Sequence, residues 1–168
     1  MMNVIKLDEK SADVFWQLRV RLLNELGEID AETDIDELEL ATKRYYLSHI
    51  NDDLISWGIM QDNKIVSIGS LCLFKRLPYK ENISGVEGYI LNVYTDPAFR
   101  RQGFAKRIVG EIKKYAIENR MKRIWLNSSE QGKKRKRSSP APVRNVTRCC
   151  KQRAGALSAR RSGSQKRL

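Results

Sequence analysis

Apolar positions along this chain follow two different spacings, and each change of spacing marks the boundary of an element. The opening run NVIKL has the composition of a short strand. In SADVFWQLRVRLL, Val14, Leu18 and Leu22 recur at i, i+4 and i+8, which predicts a helix over residues 11–26. Ile35, Leu38, Ala41 and Tyr45 repeat the helical spacing and predict a second helix over residues 34–50, capped by Thr33 or Asp34. Two apolar runs in DLISWGIMQDNKIVSIGSLCLF then flank Asp62 and Asn63, a pair suited to a tight turn, and so predict a hairpin. After the polar KRLPYKENISG, the run VEGYILNVYT reads as a third long strand. Phe104, Ile108, Ile112 and Tyr115 return to the helical period, and RIWLN to a strand. A strand–helix–strand unit of this kind sets its outer strands parallel. The predicted order is β-α-α-β-β-β-α-β, an α/β domain built on a mixed, mostly antiparallel sheet flanked by helices.

Beyond Lys134 neither spacing survives. Residues 135–168 contain no Ile, Phe, Trp, Tyr or Met. A segment this poor in apolar groups cannot offset a chain entropy of about 1 to 2 kcal/mol per residue, so a basic, low-complexity, disordered tail is expected after a domain at residues 1–134. Charge divides at the same place. Of 32 Lys and Arg, 13 lie in residues 133–168, which leaves 19 basic against 20 acidic residues in the first 132. The formal charge of +12 therefore belongs to the tail, and the KKRKR cluster offers non-specific contact with a phosphate backbone as a rival reading. The tail has no aromatic side chain for base stacking, which weakens that reading. Three cysteines, two of them the adjacent Cys149 and Cys150, form no disulfide framework. The N-terminus has no signal-like apolar segment, and no window approaches a membrane span, so a cytoplasmic setting is expected.

The chemistry concentrates in TDPAFRRQGFAKRIVGEIKKY. Arg100, Arg101, Gln102 and Gly103 stand between a strand and the first turn of a helix. That turn carries unpaired N–H groups and about half a positive charge, and a glycine lets the backbone approach a bulky ligand. The arrangement is an anion site. Neither GxxxxGK[ST] nor GxGxxG is present, so local physics does not name the anion, and solvated arginines at an ordinary turn would read the same way.

The run GYILNVYTDPAFRRQGFAKRIVGEIKKYA, followed by RIWLNSSEQGKK, resembles the central motif of the GNAT superfamily of N-acetyltransferases, with signature [QR]-x-x-G-x-[GA]; here it reads Arg100-Arg101-Gln102-Gly103-Phe104-Ala105. The resemblance covers roughly residues 1–134. It implies acetyl-CoA as co-substrate and no metal. Backbone amides from Arg101 through Gln102, Gly103, Phe104 and Ala105 to Lys106 would cradle the pyrophosphate, with Arg100 nearby. It also implies a bulge in the strand holding Leu91 to Thr95. Backbone groups of Val93 and Thr95 would pair with the pantetheine arm, an amide near Val93 or Tyr94 would meet the thioester oxygen, and Ser129 would touch the cofactor. The acceptor would be a primary amine, on a small molecule or a protein, and the oligomeric state is open, a homodimer included.

In the family a carboxylate often serves as base at the position of Tyr89. Glu87, two residues away on the same face, is the candidate here, with an ordinary exposed strand carboxylate as the alternative. Asn92 falls on the opposite face unless a bulge re-aims it, and would orient substrate or fill a polar gap. Family members continue past an SEQGKK-like segment with a tyrosine that protonates the thiolate; Lys136 occupies its place here. The abrupt change to Arg, Ala, Ser and Pro reads as translation out of the ancestral frame after Lys134, which makes a catalytically impaired CoA-binding domain a second alternative.

Eight acidic residues lie between Glu25 and Glu39. They would draw a polycationic amine, or serve as solvated and helix-capping carboxylates. His49 is the single histidine and no His/Cys cluster suggests a metal. Trp16, Trp57 and Trp125 sit in apolar patterns and are expected in the core.

Overall fold

The computed structural model describes residues 3–126, and the predicted order of elements is present in it. Strand β1 is Asn3–Lys6, helix α1 Ala12–Leu26 and helix α2 Ile35–His49. Strands β2 (Leu54–Gln61) and β3 (Lys64–Lys75) form the hairpin, whose turn residues Asp62 and Asn63 take φ of 49° and 60°. Positive φ at both positions is the backbone that Asp and Asn tolerate in a two-residue turn. Strand β4 (Val86–Thr95), helix α3 (Phe104–Glu118) and strand β5 (Ile124–Leu126) complete the fold. The strands lie in the order β1-β2-β3-β4-β5, antiparallel except for the parallel β4–β5 pair. None of the described helices is long and apolar enough to cross a membrane. The expected tail at residues 135–168 lies outside the described residues.

Each face of the sheet carries its own core. Helix α3 buries Phe104, Ile108 and Ile112 against Trp57, Leu71 and Ile90. On the other face, Phe15 and Leu18 of α1 and Tyr46 of α2 close over Leu54, Ile68 and Tyr94. The α3 stripe is the predicted one, with Tyr115 at its edge against Trp57, ring centroids 5.6 Å apart. The α2 stripe differs from its expected position. Ile35 and Tyr45 are 37% and 48% exposed, and Tyr46 is the residue that α2 buries. The Tyr46 hydroxyl donates to the Asp8 carbonyl at 2.8 Å, and Lys43 pairs with Asp13 of α1 at 2.5 Å. The inner line of α2 is thus partly polar, and apolar spacing alone selected the neighbouring line.

Strand β4 is interrupted. Ser70 pairs with Leu91 and Ile68 with Tyr94, so Gly69 of β3 faces two residues, Asn92 and Val93. This is a β-bulge, and Asn92 takes φ of 52° within it. Gly69 is required there because α3 comes so close: a Cβ built at this position would lie 2.5 Å from Ile108 Cγ2. Ile108 is fully buried and β-branched, so it cannot move aside cheaply. Gly69→Ala is therefore expected to destabilise the domain by about 1 to 3 kcal/mol through overpacking, read as a lower midpoint in urea unfolding; an unchanged midpoint would mean that α3 does not sit this tightly on the bulge.

Candidate functional site

The loop between β4 and α3 is shaped by its end residues. Asp96 caps a single turn at Pro97–Phe99 by accepting from the Ala98 amide at 3.1 Å. The backbone then turns through left-handed conformations at Arg101 (φ 65°) and Gly103 (φ 79°). No side chain caps α3, whose first described intrahelical bond runs from the Arg107 amide to the Gly103 carbonyl at 3.1 Å. The amides of Phe104, Ala105 and Lys106 precede it and have no partner among the described residues. Arg101, Gln102, Gly103, Ala105 and Lys106 are exposed, whereas Phe104 is buried and anchors the turn. A Cβ at Gly103 would meet nothing within 4 Å among the described residues, so none of them fills the space above these amides. Open space over unpaired amides at a helix N-terminus fits a pyrophosphate.

Arg100 is directed elsewhere. Its Nη2 donates to both carboxylate oxygens of Glu25, at 2.6 and 2.7 Å, and its Nε to the Thr95 carbonyl at 2.9 Å. The Tyr94 hydroxyl donates to the same Glu25 at 3.0 Å, and the Arg100 guanidinium lies over the Tyr94 ring at 5.5 Å. Glu25 of α1 thus holds the end of β4 and the start of the loop together. Burial, and then the bond to the Glu25 carboxylate, pushes the Tyr94 phenol up, while the same carboxylate holds Arg100 in its charged form.

Val93, half-buried, packs in the α3 core, while Tyr94 turns to α1. Ser67 of β3 fixes the strand beyond the bulge, its hydroxyl donating to the Tyr94 carbonyl at 2.8 Å and sharing a hydrogen bond with Thr95 Oγ1 at 2.8 Å. The bulge re-aims Asn92: its Oδ1 accepts from Arg19 Nη1 on α1. Strand β5 pairs with β4 along Gly88–Ile90, so among the described residues no strand lies beside β4 from Leu91 onward on that side.

Glu87 proves to be buried rather than exposed. Its side chain is 0% exposed and accepts from Trp125 Nε1 at 2.5 Å, from the Tyr79 hydroxyl at 3.0 Å and from Arg76 at 3.4 Å. Burial alone would raise its pKa, but the three donors outweigh it and hold the carboxyl below its ordinary value of 4.5. Trp125 is not simply a core residue, since it is half-buried with the guanidinium groups of Arg123 and Arg76 over its ring at 5.3 and 5.8 Å. Trp16 and Trp57 are buried as expected. Tyr89, half-buried between Cys72 and Trp125 in the sheet, has no hydrogen-bond partner for its hydroxyl among the described residues.

Several of the acidic residues between α1 and α2 are committed to local bonds. Asp34 caps α2 by accepting from the Glu37 amide at 2.9 Å, Asp30 accepts from Thr33 and the Glu32 amide, and Glu39 pairs with Lys43 at 2.6 Å. His49 bonds Asp53 at 2.7 Å, and the described residues hold no cluster able to ligate a metal. Ser129, Lys136, Cys149 and Cys150 lie outside the described residues.

The family profile of the Acetyltransferase (GNAT) family matches residues 20–136 of the sequence. The chain belongs to that family. Among solved structures, this GNAT chain is similar to a predicted acetyltransferase with acetyl-CoA from Clostridium acetobutylicum, at 27% identity over 86% of this chain and 93% of that one, TM-score 0.72. A GCN5-related N-acetyltransferase from Ralstonia eutropha gives the same TM-score of 0.72 at 21% identity, covering 92% of this chain and 100% of that one. A ribosomal-protein-alanine N-acetyltransferase from Brucella melitensis, 15% identical over 90% and 99% of the two chains with a TM-score of 0.61, shares the fold. No curated protein sequence matches.

Arg19, Glu25 and Ser67 were not among the site residues expected from the sequence. The arginine and the glutamate sit on α1, more than seventy positions from Asn92 and Arg100 in the chain; Arg19 showed only as charge within an otherwise amphipathic helix, and Glu25 only as one of the eight acidic residues. Ser67 broke an apolar run, which reads equally well as strand alternation.

Glu87 offers a direct test of this geometry. Replacing it by Gln removes the ionised acceptor from a fully buried site, at an expected cost of about 1 to 3 kcal/mol in urea unfolding. Because its folded pKa is depressed, its contribution is complete above the ordinary carboxylate range and is lost as pH falls through the lower folded value. Acid unfolding should therefore be less steep in Glu87→Gln than in wild type below about pH 4.5; identical slopes would mean that Glu87 is not held ionised.

Proposed function

We propose that this protein is an acetyl-CoA-dependent N-acetyltransferase acting on a primary amine. The observation that carries the reading is the juxtaposition of two features: a β4 bulged at Asn92–Val93 and an uncapped α3 N-terminus beginning at Gly103. The family membership supports it, and the Clostridium relative solved with acetyl-CoA supports the choice of cofactor. Acetyl-CoA supplies an activated acyl group, which the neutral amine takes by direct attack on the thioester carbon as the thiolate leaves.

The residues of the chain divide the remaining work. Amides of Phe104, Ala105 and Lys106, with the left-handed turns at Arg101 and Gly103, bind the pyrophosphate. Backbone groups of Val93 and Thr95 orient the pantetheine arm, and an amide near Val93 or Tyr94 stabilises the oxyanion. Arg100 acts from the side, through Glu25 and the Thr95 carbonyl, to hold the loop against β4. Glu87 is a weak base when kept ionised by three donors, and fits better as a fixed anion that holds the Tyr79 and Trp125 side chains in place. Tyr89 lies nearer the bulge on the same strand face. The site operates within a domain at residues 1–134, in the cytoplasm, and the basic tail takes no part in cofactor binding.

Acetyl-CoA binding by calorimetry on wild type and Gly103→Asp tests the reading. The substituted side chain enters open space, so the fold should bear only the strain of a left-handed residue, about 1 to 2 kcal/mol. Its carboxylate would face the pyrophosphate, and binding should weaken at least about tenfold, equivalent to about 1.4 kcal/mol. Equal affinities for the two proteins would remove the α3 N-terminus from the cofactor site, and no binding by wild type would overturn the proposed activity.

A further inference from the structure

Arg19 is half-buried on the face of α1 that meets β4, and its one hydrogen-bond partner among the described residues is the neutral Asn92 Oδ1. Three other basic side chains in this half of the molecule have acidic partners. Arg21 pairs with Asp96 at 2.5 Å, Arg100 with Glu25 at 2.6 Å, and Lys43 with Asp13 and Glu39. Arg123, also half-buried, lies over the rings of Tyr79 and Trp125. Arg19 forms neither a salt bridge nor a ring contact among the described residues. A guanidinium has five N–H donors in a fixed fork. Withdrawing it from water without an anion is costly, and burial pushes its pKa down with only the through-space pull of Glu28 in opposition.

Its position gives this imbalance a meaning. The α3 N-terminus, where the cofactor phosphates fit, packs on one face of the sheet, and α1 packs on the other. Asn92 in the bulge is turned toward α1, where it meets Arg19, so an amine that reaches an acyl group at the bulge from this side would pass Arg19. Of the acidic residues on this edge, Glu25 and Glu39 are paired with Arg100 and Lys43, while Asp30 and Asp34 accept from neutral donors and keep their charge.

We propose that Arg19 anchors an anionic group on the acceptor, so that the substrate class is a small amine carrying a carboxylate or phosphate close to its nitrogen rather than a polycation. Asn92 positions the guanidinium, and the planar fork takes the anion in a paired, charge-assisted contact. This inference rests on the acetyl-transfer reading for the identity of the cleft.

The test uses the full chain with acetyl-CoA and pairs of amines that differ only in the anion: an amino acid and its primary amide, an amino-sugar phosphate and the parent amino sugar, with spermidine as the polycation. Thiol release should favour the anionic member of at least one pair by about tenfold or more in kcat/KM. The pair that shows it separates carboxylate from phosphate. In Arg19→Gln that preference should fall to within about twofold, through KM, while Arg19→Lys recovers part of it. Faster turnover of spermidine or of the neutral members, or an equal loss for both members in Arg19→Gln, would overturn the proposal. If none of these amines is acetylated, thermal melts of the CoA-loaded protein with the same compounds decide it. Stabilisation by an anionic member in wild type but not in Arg19→Gln supports the anchor, and no such stabilisation refutes it. Calorimetric binding of CoA, measured alongside, reports separately on the acetyl-transfer reading, and far-UV circular dichroism confirms that each variant is folded.

Discussion

Gly69 facing Asn92 and Val93 is the contact on which the rest of this molecule depends. With no side chain at Gly69, Ile108 of α3 packs directly on β3, and this sets the height of α3 above the sheet. The extra residue across from it turns Asn92 toward α1 and leaves Val93 on the α3 side, so one irregularity serves both faces of the sheet. A regular β4 would place Asn92 under α3 and would continue its alternation unbroken into Thr95. The bulge therefore fixes where the regular alternation of the strand ends.

Around that point the polar side chains act as ties between elements distant in sequence. Ser67 holds the backbone of β4 just beyond the bulge, Glu25 gathers Tyr94 and Arg100, and Arg21 reaches Asp96 at the start of the loop. The exposed ties contribute little stability singly, since ion pairs in water are worth about 0 to 1 kcal/mol. Their effect is geometric. They orient the turn that presents the α3 amides, and that turn needs the left-handed residues Arg101 and Gly103 to be held in a narrow range.

Much of this was legible in the sequence because the relevant signals were local. The strand VEGYILNVYT, the Asp62-Asn63 turn and the α3 stripe are each set by neighbours along the chain, and each formed where spacing and turn chemistry placed it. The exposed loop from Arg101 to Lys106 was likewise a local reading. Less legible were features set by what lies across the sheet. The inner line of α2 is chosen by Asp8 and Asp13, which an apolar count does not see. Glu87 reads as a strand carboxylate until Tyr79 and Trp125, from a loop and a later strand, close over it. The bulge was expected from the family resemblance alone, and Asn92 is the residue that takes its positive φ.

The clasp at Glu25 has a thermodynamic consequence. One carboxylate is shared between Arg100, at the entrance to the α3 loop, and Tyr94, on the strand face that α1 covers. A molecule that draws Arg100 away on the loop side releases Glu25 on the other. The free energy of that exchange enters both binding equilibria with the same magnitude. Any two ligands that met this clasp from its opposite ends would therefore be coupled, by no more than the small worth of one exposed ion pair.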